Sequence, residues 1–94
     1  MKTIMIVCGS GVATSTVAEG KIRDFLASKG FLDQVNTFKG TVAQYINNID
    51  DYDAFVSTVV VPDDVRDQVI NAVPLLTGIG ADSVYEQIID KLGF

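Results

Sequence analysis

The stretch Ile4-Met5-Ile6-Val7-Cys8-Gly9-Ser10-Gly11-Val12-Ala13-Thr14-Ser15-Thr16 joins an unbroken apolar run to a small, hydroxyl-rich loop. Residues 4–7 read as a short strand buried on both faces, the pattern of a parallel sheet, and Gly9-Ser10-Gly11 ends it. Beyond the loop, Ala18, Ile22, Phe25 and Leu26 recur at helical spacing. Thr16 and Glu19 have the spacing of a capping box and Gly30 supplies a stop, so residues 15–29 are predicted to form the first helix.

Strands and helices continue to alternate along the rest of the chain. Residues 33–38 read as a second, weaker strand suited to an edge, and residues 41–47 as a short helix with Val42, Tyr45 and Ile46 on one face, stopped by Asn47-Asn48. After the acidic turn Asp50-Asp51-Tyr52-Asp53, residues 54–61 are rich in Phe and Val and form a central strand closed by Pro62, which has no amide hydrogen to give a ladder. Asp63 and Asp64 open a short helix reaching Val69. Residues 72–76 read as a fourth strand, placed at an edge by Pro74 and ended by Gly78. Ser83 and Glu86 have capping-box spacing, and Val84, Tyr85, Ile88, Ile89 and Leu92 make the apolar face of a terminal helix. With right-handed crossovers this predicts an α/β fold, a small four-stranded parallel sheet in the order 2-1-3-4 with helices on both faces. A chain of 94 residues fills one core, so residues 1–94 are expected to form a single domain.

Composition narrows the function. The chain is 48% hydrophobic and 20% charged with two prolines, the make-up of a packed domain. Its net charge of −5 argues against general affinity for nucleic acid or anionic lipid. One cysteine permits no internal disulfide, and without any histidine there is no set of Cys and His ligands for zinc. No metal or cofactor is implied. The apolar run at the start is shorter than a signal-peptide core, and no segment approaches the roughly 20 apolar residues of a membrane span. The expectation is a cytoplasmic protein that meets the membrane only through a partner.

In an open parallel sheet, ligands lie beyond the carboxyl ends of the strands where the strand order reverses, here between the first and third strands. Cys8 ends the first strand at that point. The loop from Gly9 through Ser10, Gly11, Val12, Ala13, Thr14, Ser15 and Thr16 leads straight into a helix, so backbone N–H groups and the helix N-terminus can converge on an anion. Gly9 and Gly11 allow the close approach this requires. The partial positive charge of the helix end also favours the thiolate of Cys8, making it a nucleophile toward a phosphoryl donor. Backbone donors and the hydroxyls of Ser10, Thr14, Ser15 or Thr16 would hold the thiophosphate oxygens.

Other readings of the loop are weaker. A cysteine at the end of a buried strand is often an inert apolar filler, although the flanking glycines and hydroxyls argue against that here. Neither the Gly-x-Gly-x-x-Gly nor the Walker nucleotide pattern is present, and Cys-x-x-Cys redox chemistry lacks its second thiol. A low-molecular-weight tyrosine phosphatase shares the strand, loop and helix but has Cys-x5-Arg-Ser/Thr, and the arginine position is Thr14. Without a guanidinium clamp, hydrolysis loses its main electrostatic support, which favours a carrier over a phosphatase. A hydrolase of that kind and a non-catalytic regulatory module remain the alternatives.

The segment Ile6-Val7-Cys8-Gly9-Ser10-Gly11-Val12-Ala13-Thr14-Ser15-Thr16 resembles the active-site loop of enzyme IIB components of the phosphoenolpyruvate-dependent phosphotransferase system. Val12-Ala13-Thr14-Ser15-Thr16 and Pro74-Leu75-Leu76-Thr77-Gly78-Ile79-Gly80 are similar to the galactitol subfamily in particular. The resemblance implies that Cys8 takes a phosphoryl group from a histidine of a partner enzyme IIA. It would pass the group to a sugar alcohol, galactitol, bound by the membrane component enzyme IIC. Ser57 and Thr58 have a weaker claim to a place beside the loop. Asp50, Asp51 and Asp53 read as a solvated turn, and Glu19 is expected to face away from the phosphate, which it would otherwise repel.

Overall fold

The computed structural model describes residues 1–9 and 13–94, with the backbone alone for residues 13–15. Strand β1 (Lys2–Cys8) lies between β2 (Val35–Thr41) and β3 (Ala54–Ser57), and β4 (Ile70–Asn71) closes the sheet. All pairings are parallel and the order is 2-1-3-4, as the alternation of elements predicts. Side chains alternate across β1 and so feed two cores. Ile4 and Ile6, with Ala54 and Val56 of β3, meet Ala18, Ile22 and Leu26 of α1 (Ala13–Lys29) and Val84, Ile88 and Leu92 of α4 (Ala81–Leu92). Met5, Val7 and Phe55 point to the other face, where Val42 and Tyr45 of α2 (Val42–Tyr45) cover them together with Ile46, Ile49 and Tyr52.

Several boundaries differ from the sequence reading. Helix α1 already includes Ala13, so Thr16 and Glu19 lie inside it and form no capping box; their side chains turn to β2 instead. The second strand begins at Val35, after a 3₁₀ turn (Leu32–Gln34), and runs on to Thr41. A capping box does occur at Thr41, whose hydroxyl accepts from the Gln44 amide while the Gln44 side chain accepts from the Thr41 amide. After α2 the chain tightens into a 3₁₀ segment (Ile46–Asp51), which takes up part of the acidic stretch read as a turn.

Strand β3 stops at Ser57 rather than at residue 61. The Ser57 hydroxyl donates to the Val59 carbonyl at 2.7 Å and accepts from the Val59 amide at 3.1 Å, which folds the chain away from the ladder. Residues 63–68 form a 3₁₀ segment. The fourth strand is Ile70–Asn71, not residues 72–76. Asn71 Oδ1 accepts from the Val73 amide at 3.0 Å and starts α3 (Val73–Thr77), with Pro74 in its first turn, where a missing amide hydrogen costs nothing. Gly80, with φ 80°, precedes α4, so Ser83 is a helical residue whose carbonyl accepts from the Gln87 side chain.

Candidate active site

Cys8 is the last residue of β1 and is buried at 1% exposure. Its Sγ lies 3.8 Å from the carbonyl oxygen of Gly40 on β2, as a weak S–H donor would. The register sets Cys8 beside Thr41, so Gly40 and Thr41 form one wall at the carboxyl edge of the sheet. On the other side the Thr58 amide donates to the Val7 carbonyl at 3.0 Å and its hydroxyl to the same oxygen at 3.3 Å. A methyl group built on Gly9 would lie 3.4 Å from Val59 Cγ1, so the chain leaving β3 runs against the start of the cysteine loop. Cys8 therefore lies at the switch point, between the exits of β2 and β3.

Of the predicted phosphoryl-binding residues, Ser10, Gly11 and Val12 lie outside the described residues, as do the side chains of Ala13, Thr14 and Ser15. The backbone of residues 13–15 is the first turn of α1, which begins five residues after Cys8, the strand–loop–helix order required for an anion at the helix N-terminus. Gly9 is exposed, and so is Thr16, with its hydroxyl 3.4 Å from Lys39 Nζ. Ser57 and Thr58 are buried at 1% and 7% and close to the loop, but their hydroxyls are engaged with the backbone, which makes them builders of the wall. Among the described residues no group of His, Cys, Asp and Glu could hold a metal ion.

Three residues near the cysteine have no signal in the linear motif. Gly40 supplies the carbonyl that faces Sγ. Tyr45 packs its ring over Gly40, leaving no room for a β-carbon there. Lys39 forms an ion pair with Glu19 at 3.5 Å and reaches Thr16, so a cation stands against the first turn of α1 although the loop contains none. Thr37, Lys39 and Thr41 alternate along β2 and share the face of Ile4, Ile6 and Cys8. That juxtaposition follows from the pairing of β1 with β2 and from nothing within the loop. Glu19 points to β2, where the Thr37 hydroxyl donates to its carboxylate at 2.8 Å.

Exposed apolar side chains occur at the same end of the sheet. Val60 is 86% exposed just after β3, and Ile79 is 81% exposed between α3 and α4. Tyr85 is half-buried: its ring stacks on Phe25 with centroids 4.3 Å apart and packs against the core.

A parallel sheet covered on both faces, with a cysteine ending its first strand and a helix following, is the class of arrangement in which an anion can be held at a helix N-terminus. The model of the family "PTS system, Lactose/Cellobiose specific IIB subunit" matches residues 3–89, and the chain belongs to that family. It is also 31% identical over 88 residues, covering 94% of each chain, to an Escherichia coli (strain K12) protein named as a candidate phosphotransferase enzyme IIB component, SgcB. The protein is thus a phosphotransferase component that carries phosphoryl groups in a sugar-transporting system, in which IIB domains work with IIA and IIC components. No helix among the described residues is long and apolar enough to cross a membrane.

Proposed function

We propose that Cys8 is the phosphoryl carrier of this enzyme IIB component, and that the observation carrying the assignment is its position at the end of β1, ahead of the first turn of α1 at the switch point of the sheet. The thiolate attacks the phosphorus of a phosphohistidine on enzyme IIA; the S–P bond forms as the P–N bond breaks, and the imidazole leaves. In the second step a hydroxyl oxygen of the sugar bound to enzyme IIC attacks, its proton is lost, the S–P bond breaks and the Cys8 thiolate is released. The loop of residues 9–16 cradles the phosphoryl oxygens through backbone N–H groups and hydroxyls, within a single IIB domain spanning residues 1–94.

Thr14 supports a carrier over a hydrolase. It stands where a tyrosine phosphatase of similar architecture has the arginine that clamps the phosphoryl group. The likeness of residues 12–16 and 74–80 to the galactitol subfamily supports a sugar alcohol as the final acceptor. The test is Cys8→Ser assayed with phosphoenolpyruvate, the general phosphotransferase proteins, enzyme IIA and membranes carrying enzyme IIC. Transfer to galactitol is expected with the wild type and none with the variant. Undiminished transfer by Cys8→Ser would remove the assignment, and steady turnover of an aryl phosphate by the isolated protein would favour the phosphatase reading.

A further inference from the structure

We infer that Lys39 is a positioning residue for phosphoryl transfer, acting by cancelling the charge of Glu19 and holding Thr16 at the first turn of α1. The inference rests on the reading of Cys8 as phosphoryl acceptor. Glu19 lies in the second turn of α1, and a thiophosphate at Cys8 would place up to two negative charges before the same helix. The Glu19 side chain is only 19% exposed, wedged between α1 and β2, so water screens its charge poorly. Left alone, that carboxylate would oppose the phosphoryl group and offset the helix dipole that attracts it.

The structure supplies a counter-charge. Lys39 Nζ lies 3.5 Å from Glu19 Oε1 and 3.4 Å from Thr16 Oγ1, so one ammonium group engages both residues. Thr37 fixes the carboxylate from the other side: its hydroxyl donates to Glu19 Oε2 at 2.8 Å and accepts from Arg23 Nη1 at 3.4 Å. The pairing of Ile6 with Lys39 and of Cys8 with Thr41 puts the lysine one alternation behind Cys8 on the same face of the sheet. Lys39 supplies that counter-charge from β2, a strand separate in sequence from the loop.

The experiment measures the rate at which Cys8 acquires phosphoryl from enzyme IIA, per folded molecule, in wild type, K39M, K39R, E19Q and K39M/E19Q, with denaturant unfolding reporting the folded fraction. K39M is expected to be slower by roughly three- to tenfold, the scale of one uncompensated charge near a protein surface, with the deficit shrinking as salt is added. K39R should keep the wild-type rate to within about twofold, since it retains the charge. K39M/E19Q should recover most of the loss, because the carboxylate that needed the lysine is gone; a mere strap between β2 and α1 gives no such rescue. K39M at the wild-type rate, or a double variant as slow as K39M, overturns the inference while the wild-type adduct leaves Cys8 as carrier. A wild type that takes up no phosphoryl on Cys8 overturns both.

Discussion

The ring of Tyr45 lies directly over the α-carbon of Gly40, and the carbonyl of that glycine faces Cys8 Sγ at 3.8 Å. An aromatic side chain of α2 thus sets the height of the strand that walls the cysteine, and it does so because residue 40 has no β-carbon. Gly40→Ala would drive a methyl group into the ring, forcing either Tyr45 out of the Met5, Val7 and Phe55 core or β2 away from Cys8. Overpacking of this kind costs about 1–3 kcal/mol. Denaturant unfolding should show that loss, and Gly40→Ala/Tyr45→Ala should cost less than the sum of its two single variants. Additive losses would show that the ring and the glycine do not constrain one another.

The turn after β3 gives a second expectation. Ser57 Oγ satisfies both the amide and the carbonyl of Val59, the residue that abuts Gly9. Ser57→Ala removes both bonds in a buried site and should cost about 1–3 kcal/mol. Phosphoryl uptake per folded molecule should also fall, because residues 58–61 no longer hold their course beside the loop. Loss of stability with unchanged uptake would show that this turn serves the core alone.

How much of this was legible in the sequence depends on whether the contacts involved are local. The run of residues 4–7 and the glycines after it were enough to place β1, and the spacing of Ala18, Ile22 and Leu26 to place α1, because burial on two faces or one stripe leaves a direct pattern. Ala72 to Leu76 is as apolar as a strand, yet the fourth strand lies elsewhere; what decides is the Asn71 side chain accepting from the Val73 amide, together with a proline that suits a first helical turn. Thr16 and Glu19 looked like a cap by spacing alone, yet their partners are Lys39 and Thr37, about twenty residues away along the chain. Cys8 and its loop were readable as a motif. Gly40, Tyr45 and Lys39 were not, since they reach the site only through the pairing of β1 with β2.

Alkaline pH tests the packing of α4 on α1. Tyr85 is stacked on Phe25 at 4.3 Å, and burial above all, then the charges of Asp82 and Asp24, raises its pKa above the ordinary 10.0. The folded protein therefore keeps the phenolic proton to higher pH than the unfolded chain does. The resulting stabilisation is fully present below pH 10.0 and is lost as pH rises through the folded-state value. The tyrosinate absorbance of the wild type minus that of Tyr85→Phe should show a midpoint above 10.0. A midpoint at or below that value would mean that Tyr85 is neither buried nor flanked by those carboxylates in solution.

Mass spectrometry of the Cys8 peptide tests most directly whether the sulfur of Cys8 carries the phosphoryl group. After incubation with phosphoenolpyruvate, the general phosphotransferase proteins and enzyme IIA, the peptide should gain the mass of one phosphoryl group. The gain should persist when the donor is removed and disappear when enzyme IIC and its sugar are added. A phosphoryl group found on any other residue, or an unmodified Cys8 peptide under conditions in which enzyme IIA is itself phosphorylated, would contradict the account.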